Sequence, residues 1–178
     1  MRLVRFGGAM SLDGYIAGPN GEYDWILMDP DIDFAEMQAQ FDTFLIGRKT
    51  FEALLKMGGD GRSSPEAQNI VLSRTLKAGD YPHVTIQADA ERVVAELRAA
   101  PGKDIAIFGG GELLRSLLAA DLVDRLELGV IPVLLGGGIP LLPPPAGRVT
   151  LALRKQRVYE KTGIIGLEYD VVRRKART

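Results

Sequence analysis

Short apolar runs, each closed by glycine, proline or polar turn residues, alternate along this chain with stretches in which apolar residues recur every three or four positions. The first pattern marks buried strands and the second marks helix faces. RLVRFGGAM predicts an opening strand that gives way to glycine, and SLDGYIAGPNGEYDW a loop with repeated turn signals. In DFAEMQAQFDTF, Phe34, Met37, Phe41 and Phe44 fall on one helical face, with Asp33 and Glu36 as N-cap and N3. TFLIG predicts a strand, RKTFEALLKM a helix stopped by Gly58 and Gly59, and NIVLS and HVTIQ two further strands. Asp89 caps a helix over AERVVAELRAA that ends at Pro101 and Gly102. DIAIF is the next strand and ELLRSLLAADLV the next helix, with Leu113, Leu114, Leu117 and Leu118 on one side. DRLELGVIPVLLGGG reads as a long strand, and VTLALRKQRVYEKTGIIGLEYDVVRR as a terminal hairpin joined at EKTG.

About eight strands and four helices result. Their alternation implies parallel pairing through right-handed crossovers, while the closing hairpin must be antiparallel. The expected fold is α/β: a mixed, twisted sheet with helices on both faces. There is no internal repeat and no linker, and the proline-rich PLLPPPAGRV is too short to separate domains. Residues 1–178 are therefore expected to form a single domain.

Composition narrows the function. With 178 residues, 46% hydrophobic and 25% charged, the chain suits a globular protein with a real core. A net charge of -1 argues against nucleic acid as the main partner. The tail VVRRKART is basic but follows an apolar strand, and is expected to be a solubilising end. The absence of cysteine excludes disulfides, thiolate metal sites and a cysteine nucleophile. His83 is the only histidine, which excludes a multi-histidine metal site; its setting in DYPHV suits a surface position at a strand start. No G-x-S-x-G elbow is present. The start is broken by Arg5 and is too short for a signal peptide, and no run approaches a membrane span. A cytoplasmic location is expected.

Three strand ends carry groups suited to an anion. Gly109, Gly110 and Gly111 lie between DIAIF and the helix that follows, either as a tight turn or as a loop that lets a ligand approach the backbone. The pattern is not G-x-G-x-x-G, because the third glycine would fall at Leu114. In FLIGRKTFE, Gly47 precedes Arg48, Lys49 and Thr50 at a helix start, where basic residues oppose the helix dipole unless an anion binds there. In IVLSRTL, Ser73, Arg74 and Thr75 stand just beyond a third strand. Together they suggest a dinucleotide lying across one sheet edge.

These segments resemble the dihydrofolate reductase-like superfamily, and more closely the reductase domain of bifunctional riboflavin-biosynthesis deaminase-reductase proteins. The likeness runs in order through SLDGYIAG, FLIGRKTFE, NIVLSR and IAIFGGGELLRSLLAADLVDRLELGVIPVLLGGGIPL. It implies a three-layer fold with a central eight-stranded mixed sheet, four flanking helices and NADPH as cofactor. It further implies that Gly47, Arg48, Lys49 and Thr50 contact the pyrophosphate and that Ser73 and Arg74 hold the adenosine 2′-phosphate. Gly109, Gly110, Gly111, Glu112 and Leu113 would line the cofactor, with a cis peptide at Gly109-Gly110, and Ala9 and Ile16 would lie near the nicotinamide. Asp13 corresponds to the family's acidic loop residue, unless Asp13-Gly14 is a plain turn.

Folate reductases place a carboxylate near the start of the first helix, for which the candidates are Asp31 and Asp33. Trp25 either stacks on a flat heterocyclic substrate or closes the base of its loop. The basic residues with which riboflavin-type reductases read a ribosyl phosphate have no obvious counterpart. The implied activity is NADPH-dependent hydride transfer to a small heterocycle, as in 5-amino-6-(5-phosphoribosylamino)uracil reductase. Dihydrofolate reductase and a nucleotide-binding module without turnover are the alternatives. The resemblance also implies a homodimer, for which VIPVLLGGGIPLLPPP offers apolar surface. A zinc deaminase partner domain is excluded from this chain by its lack of cysteine.

Overall fold

A computed structural model describes residues 1–173. The chain opens with β1 (Val4–Ser11), β2 (Tyr15–Ala17), α1 (Phe34–Ala39), β3 (Phe41–Gly47) and α2 (Arg48–Lys56). It continues through β4 (Gln68–Leu72), β5 (Thr85–Gln87), α3 (Ala90–Ala99), β6 (Asp104–Phe108) and α4 (Gly111–Ala119). It closes with β7 (Arg125–Ile131), β8 (Ile139–Pro140), β9 (Thr150–Tyr159) and β10 (Ile164–Val172). Eight strands form one mixed sheet in the order β5-β4-β3-β6-β1-β7-β10-β9, and β2 pairs with β8 in a separate two-stranded sheet. The pairings of β5, β4, β3, β6, β1 and β7 are parallel, and β10 is antiparallel to both β7 and β9.

Side-chain alternation along β1 decides the two faces. Val4 and Phe6 point to one side, where Val93, Val94 and Leu97 of α3 and Leu114 and Leu117 of α4 cover the sheet. On the other side α2 buries Phe51 against Phe44, Ile46 and Val71. Each of these fully buried side chains contributes roughly 1.5–3 kcal/mol relative to exposure. Arg5 points to this second side, where it meets Gln40 at the end of the short α1 and the Phe41 ring.

Several elements differ from the sequence pattern, among them α4, which stops at Ala119 before the expected DLV. The helix expected to carry Phe34, Met37, Phe41 and Phe44 ends at Ala39, and Phe41 and Phe44 belong to β3. β3 is an inner strand bonded to both β4 and β6, and that double ladder outweighs the helical periodicity. The long strand through DRLELGVIPVLLGGG stops at Ile131, where Pro132 has no N–H to donate. Within the expected first loop, Tyr15–Ala17 forms β2. In the basic tail, Arg173 donates to Asp124 at 2.8 Å, so this first residue is anchored; residues 174–178 lie outside the described residues.

Candidate active site

Because β4, β3, β6 and β1 run parallel and adjacent, their C-terminal ends meet along one edge. This is where open α/β sheets bind ligands. α2 and α4 both begin at this edge, with Gly47 and Gly110 as N-caps and no side-chain cap on either. Their first-turn N–H groups are therefore left for an external acceptor. Among the described residues no carboxylate pairs with Lys49 or Arg74, whereas Arg48 is held by Glu52 at 3.1 Å. These groups fit an anion.

The three glycines have different reasons. A Cβ on Gly109 would lie 3.2 Å from the Gly47 nitrogen and 3.4 Å from Thr50 Oγ1, so this glycine lets the ends of β3 and β6 close together. A Cβ on Gly111 would lie 2.5 Å from the Leu141 oxygen and 2.6 Å from that of Pro140, because the segment after β8 crosses the start of α4. A Cβ on Gly110 would meet nothing within 4 Å. Only Gly110 offers open backbone. The expected cis bond is absent: among the described residues the one cis peptide is Pro144-Pro145. Gly110 makes the turn with a trans bond in extended conformation, at φ -77° and ψ 175°, which avoids the roughly 2.5–4 kcal/mol of a non-proline cis bond.

Gly47, Thr50, Gly109 and Leu113 thus converge. Glu112 turns outward and accepts from Arg115 at 2.7 Å. Ser73 is buried, and its hydroxyl accepts the N–H groups of Thr75 and Leu76, shaping a turn from which Arg74 extends exposed. Ile16 sits in β2, the strand that pairs with β8.

Beside this edge, on the Arg5 side of the sheet, runs an open groove of about 950 Å³. Its walls are the strap of residues 26–32 and the helix α1, which turns Phe34 and Met37, each 43% exposed, toward it. Its floor is a row of register partners: Ala9 on β1, Gly129 on β7, Gly166 on β10 and Arg157 on β9. The first three have almost no side chain, so a flat ring can lie on the backbone.

Charged residues border that floor in pairs. Arg5, 7% exposed, bonds Glu127 at 2.6 Å, Asp104 at 3.1 Å and Gln40 at 2.9 Å, and its guanidinium stacks 4.6 Å from the Phe41 ring. Arg125 and Arg154 share Asp170, and Lys155 faces Glu168.

Residues 2–163 match the family described as the RibD C-terminal domain. The chain belongs to that family. It is 34% identical over 171 residues to the uncharacterized protein YyaP of Bacillus subtilis, covering 90% of each chain. Among solved structures, the diaminohydroxyphosphoribosylaminopyrimidine deaminase/5-amino-6-(5-phosphoribosylamino)uracil reductase of Thermotoga maritima superposes with a TM-score of 0.72 at 17% identity, over 96% of this chain and 57% of that one. Dihydrofolate reductase of Enterococcus faecalis, complexed with NADP(H), gives 0.66 at 22% identity over 95% and 94%. This chain shares the α/β, dihydrofolate reductase-like fold of these two solved structures.

In this RibD C-terminal domain the candidate acids are already engaged. Asp13 accepts from the Ser11 hydroxyl at 2.6 Å and from the N–H groups of Leu135 and Gly136 at 3.1 and 2.8 Å. These bonds, the Ser11 hydroxyl foremost, hold its carboxyl below the usual range despite the opposing effect of burial. Asp31 lines the groove but pairs with Lys161 at 2.8 Å, and Asp33 caps α1 through the Glu36 N–H at 2.8 Å. Trp25 is absent from the groove lining; its indole donates to the Glu22 carbonyl at 3.1 Å and closes the base of its loop. Of the two roles open to Trp25, this contact is the one that closes the loop base.

Sequence reasoning missed Asp29, Arg5, Glu127 and the floor. Asp29 is 2% exposed and accepts from Thr162 at 2.7 Å. Only an arginine inside the first apolar run hinted at the buried pair, and nothing local linked Gly129 to Gly166.

Proposed function

We propose that this chain is an NADPH-dependent reductase that transfers a hydride to a small flat heterocycle, of the type of 5-amino-6-(5-phosphoribosylamino)uracil reductase in riboflavin biosynthesis. One juxtaposition supports this best: Ala9 closes the row of anion-binding strand ends and also opens the floor of the groove. A ligand along the first site therefore ends where a ligand in the second begins. NADPH, when bound, supplies the hydride from C4 of its nicotinamide.

The chain's own residues bind, orient and exclude water. Lys49, Arg74 and the uncapped helix starts hold the phosphates. Ala9 and Gly129 let the ring lie against the strand backbone, and Phe34 and Met37 shield it. With Asp13, Asp31 and Asp33 all engaged, the proton that completes the reduction comes from water. That arrangement also favours the riboflavin-type activity over dihydrofolate reduction, which asks for a free carboxylate beside α1. The same reading carries a cytoplasmic homodimer. On the face of β9 away from the groove, Leu153 and Val158 are 55% and 62% exposed, an apolar sheet edge that a second copy would cover.

The test is loss of reduced-nicotinamide absorbance on addition of 5-amino-6-(5-phosphoribosylamino)uracil or dihydrofolate to protein and NADPH. Oxidation with the first and not the second is expected. NADPH binding without oxidation by any heterocycle would leave a nucleotide-binding module instead.

A further inference from the structure

Of the cations lining the groove, four pair directly with carboxylates and one does not. Arg5 is paired with Glu127 and Asp104, Arg125 and Arg154 with Asp170, and Lys155 with Glu168. Among the described residues no carboxylate lies within ion-pair distance of Arg157, and Asp29 acts on it only from beyond that distance. Its guanidinium instead stacks on the Tyr159 ring, 4.6 Å from the centroid. Gly166 makes that stack possible: a Cβ there would come 3.3 Å from Tyr159 Cε2. Stacking on a ring fixes the plane of a guanidinium while leaving its N–H fork free, which lowers the entropy lost when an oxyanion is bound.

Register places this group. Ala9, Gly129, Gly166 and Arg157 are consecutive partners across β1, β7, β10 and β9, so Arg157 stands three strand spacings, roughly 14 Å, from Ala9. The intervening floor bears no side chain larger than a methyl. The strap and α1 on the opposite wall present Asp31, Asp33 and Glu36, and so supply no cation of their own.

We infer that Arg157, held by Tyr159, is the specificity-determining residue for an oxyanion at the far end of the substrate. This rests on the reductase reading above and adds to it the group that reads the substrate's anionic end. The substrate is then a flat heterocycle joined by a spacer to a phosphate or carboxylate. The heterocycle sits at Ala9 and the anion at Arg157. A riboflavin-type precursor and a folate share that chemistry, the first through phosphate and the second through carboxylate.

Three probes separate these cases by calorimetric titration: uridine 5′-monophosphate, uridine and p-aminobenzoylglutamate. Each is titrated into wild type, Arg157→Gln and Arg154→Gln, with and without NADPH. The expected result is that an anionic probe binds more tightly than uridine, and that Arg157→Gln weakens it about 10- to 100-fold, the effect of losing a charge-assisted hydrogen bond. Uridine binding and the melting temperature should not change. Arg154→Gln removes the same charge from an already paired group and should leave the anion's affinity within about threefold. Dependence on Arg157 for the nucleotide assigns a phosphate; for the aminobenzoylglutamate, a carboxylate. Equal anion affinity in wild type and Arg157→Gln overturns the inference, as does an affinity no greater than that of uridine. Failure of NADPH to bind would instead strike the reductase reading and leave the Arg157 comparison intact.

Discussion

The Asp29 carboxylate and the Thr162 hydroxyl meet at 2.7 Å across 133 positions of sequence, tying the strap over the groove to the turn between β9 and β10. Asp29 also accepts the Asp31 N–H at 2.9 Å, and Asp31 in turn takes the Lys161 ammonium. The wall of the groove is thus fastened to the hairpin that carries Arg157.

Thr162→Val is expected to leave Asp29 short of a donor and to loosen the strap. The melting temperature should fall by roughly 2–4 °C, and amide exchange should rise over residues 26–32 before it rises elsewhere. The Thr162 hydroxyl is the main cause that holds the Asp29 carboxyl below its ordinary range, with the Asp31 N–H and the nearby Lys161 and Arg157 assisting against burial. A depressed folded value means that the fastening is complete above the ordinary carboxylate range and is lost as pH falls through the lowered value. In Thr162→Val that loss should begin at higher pH, a shift that acid titration of strap exchange would record.

Arg5→Leu leaves Asp104 without its cation and Glu127 with only the longer, 4.0 Å contact to Arg125, in a nearly closed part of the sheet. Breaking one side of such a pair costs about 3–5 kcal/mol, far more than the pair itself contributes. Urea denaturation should show a loss of that size with the slope unchanged. Arg48→Ala, which breaks an exposed pair with Glu52, should change stability by no more than about 1 kcal/mol.

The glycines at the start of α4 should separate by function. Gly111→Ala drives a methyl into the carbonyls of Leu141 and Pro140 and is expected to destabilise the fold, read as a lowered melting temperature. Gly110→Ala meets open space at an ordinary φ and should fold normally. Its methyl would stand where a phosphate approaches the helix start, so NADPH affinity should drop about tenfold while stability holds.

The order of elements was legible because each apolar run ended at a turn residue and each helix start was read to within a residue, although α1 and α4 end earlier than their spacing predicts. The Asp33 and Asp89 caps stand as read, donating partners being Glu36 and Arg92. α1 was not legible: Phe41 and Phe44 continue its spacing, and only pairing of β3 with β4 and β6, distant in sequence, draws them into a strand. The anion edge could be read since glycine, hydroxyl and cation lie within a few residues at each strand end. The groove could not, because its floor is assembled from four strands by register alone. Asp13 shows the same limit. A D-G dipeptide announces a turn, but not that its carboxylate reaches Leu135 and Gly136.

Asp13→Asn should free the 135–136 segment from the first loop, seen as faster amide exchange there. The Ser11 hydroxyl and those two N–H groups keep the Asp13 carboxyl below its ordinary range, so the contact is whole above that range and disappears only as pH falls through the lowered value. Turnover should accordingly show no ionisation of Asp13 near neutral pH. A rate that rises as a group titrates there, and that loses this dependence in Asp13→Asn, would make Asp13 a proton donor.

The most direct measurement is a titration of the protein with NADPH and with NADH, following Trp25 fluorescence and the melting temperature, in wild type and Arg74→Ala. The account predicts that NADPH raises the melting temperature as binding to the folded state requires, that NADH does so less, and that Arg74→Ala removes the difference. If neither nucleotide alters fluorescence or melting, the edge formed by Gly47, Arg74 and Gly110 is not a cofactor site and the reductase account is wrong.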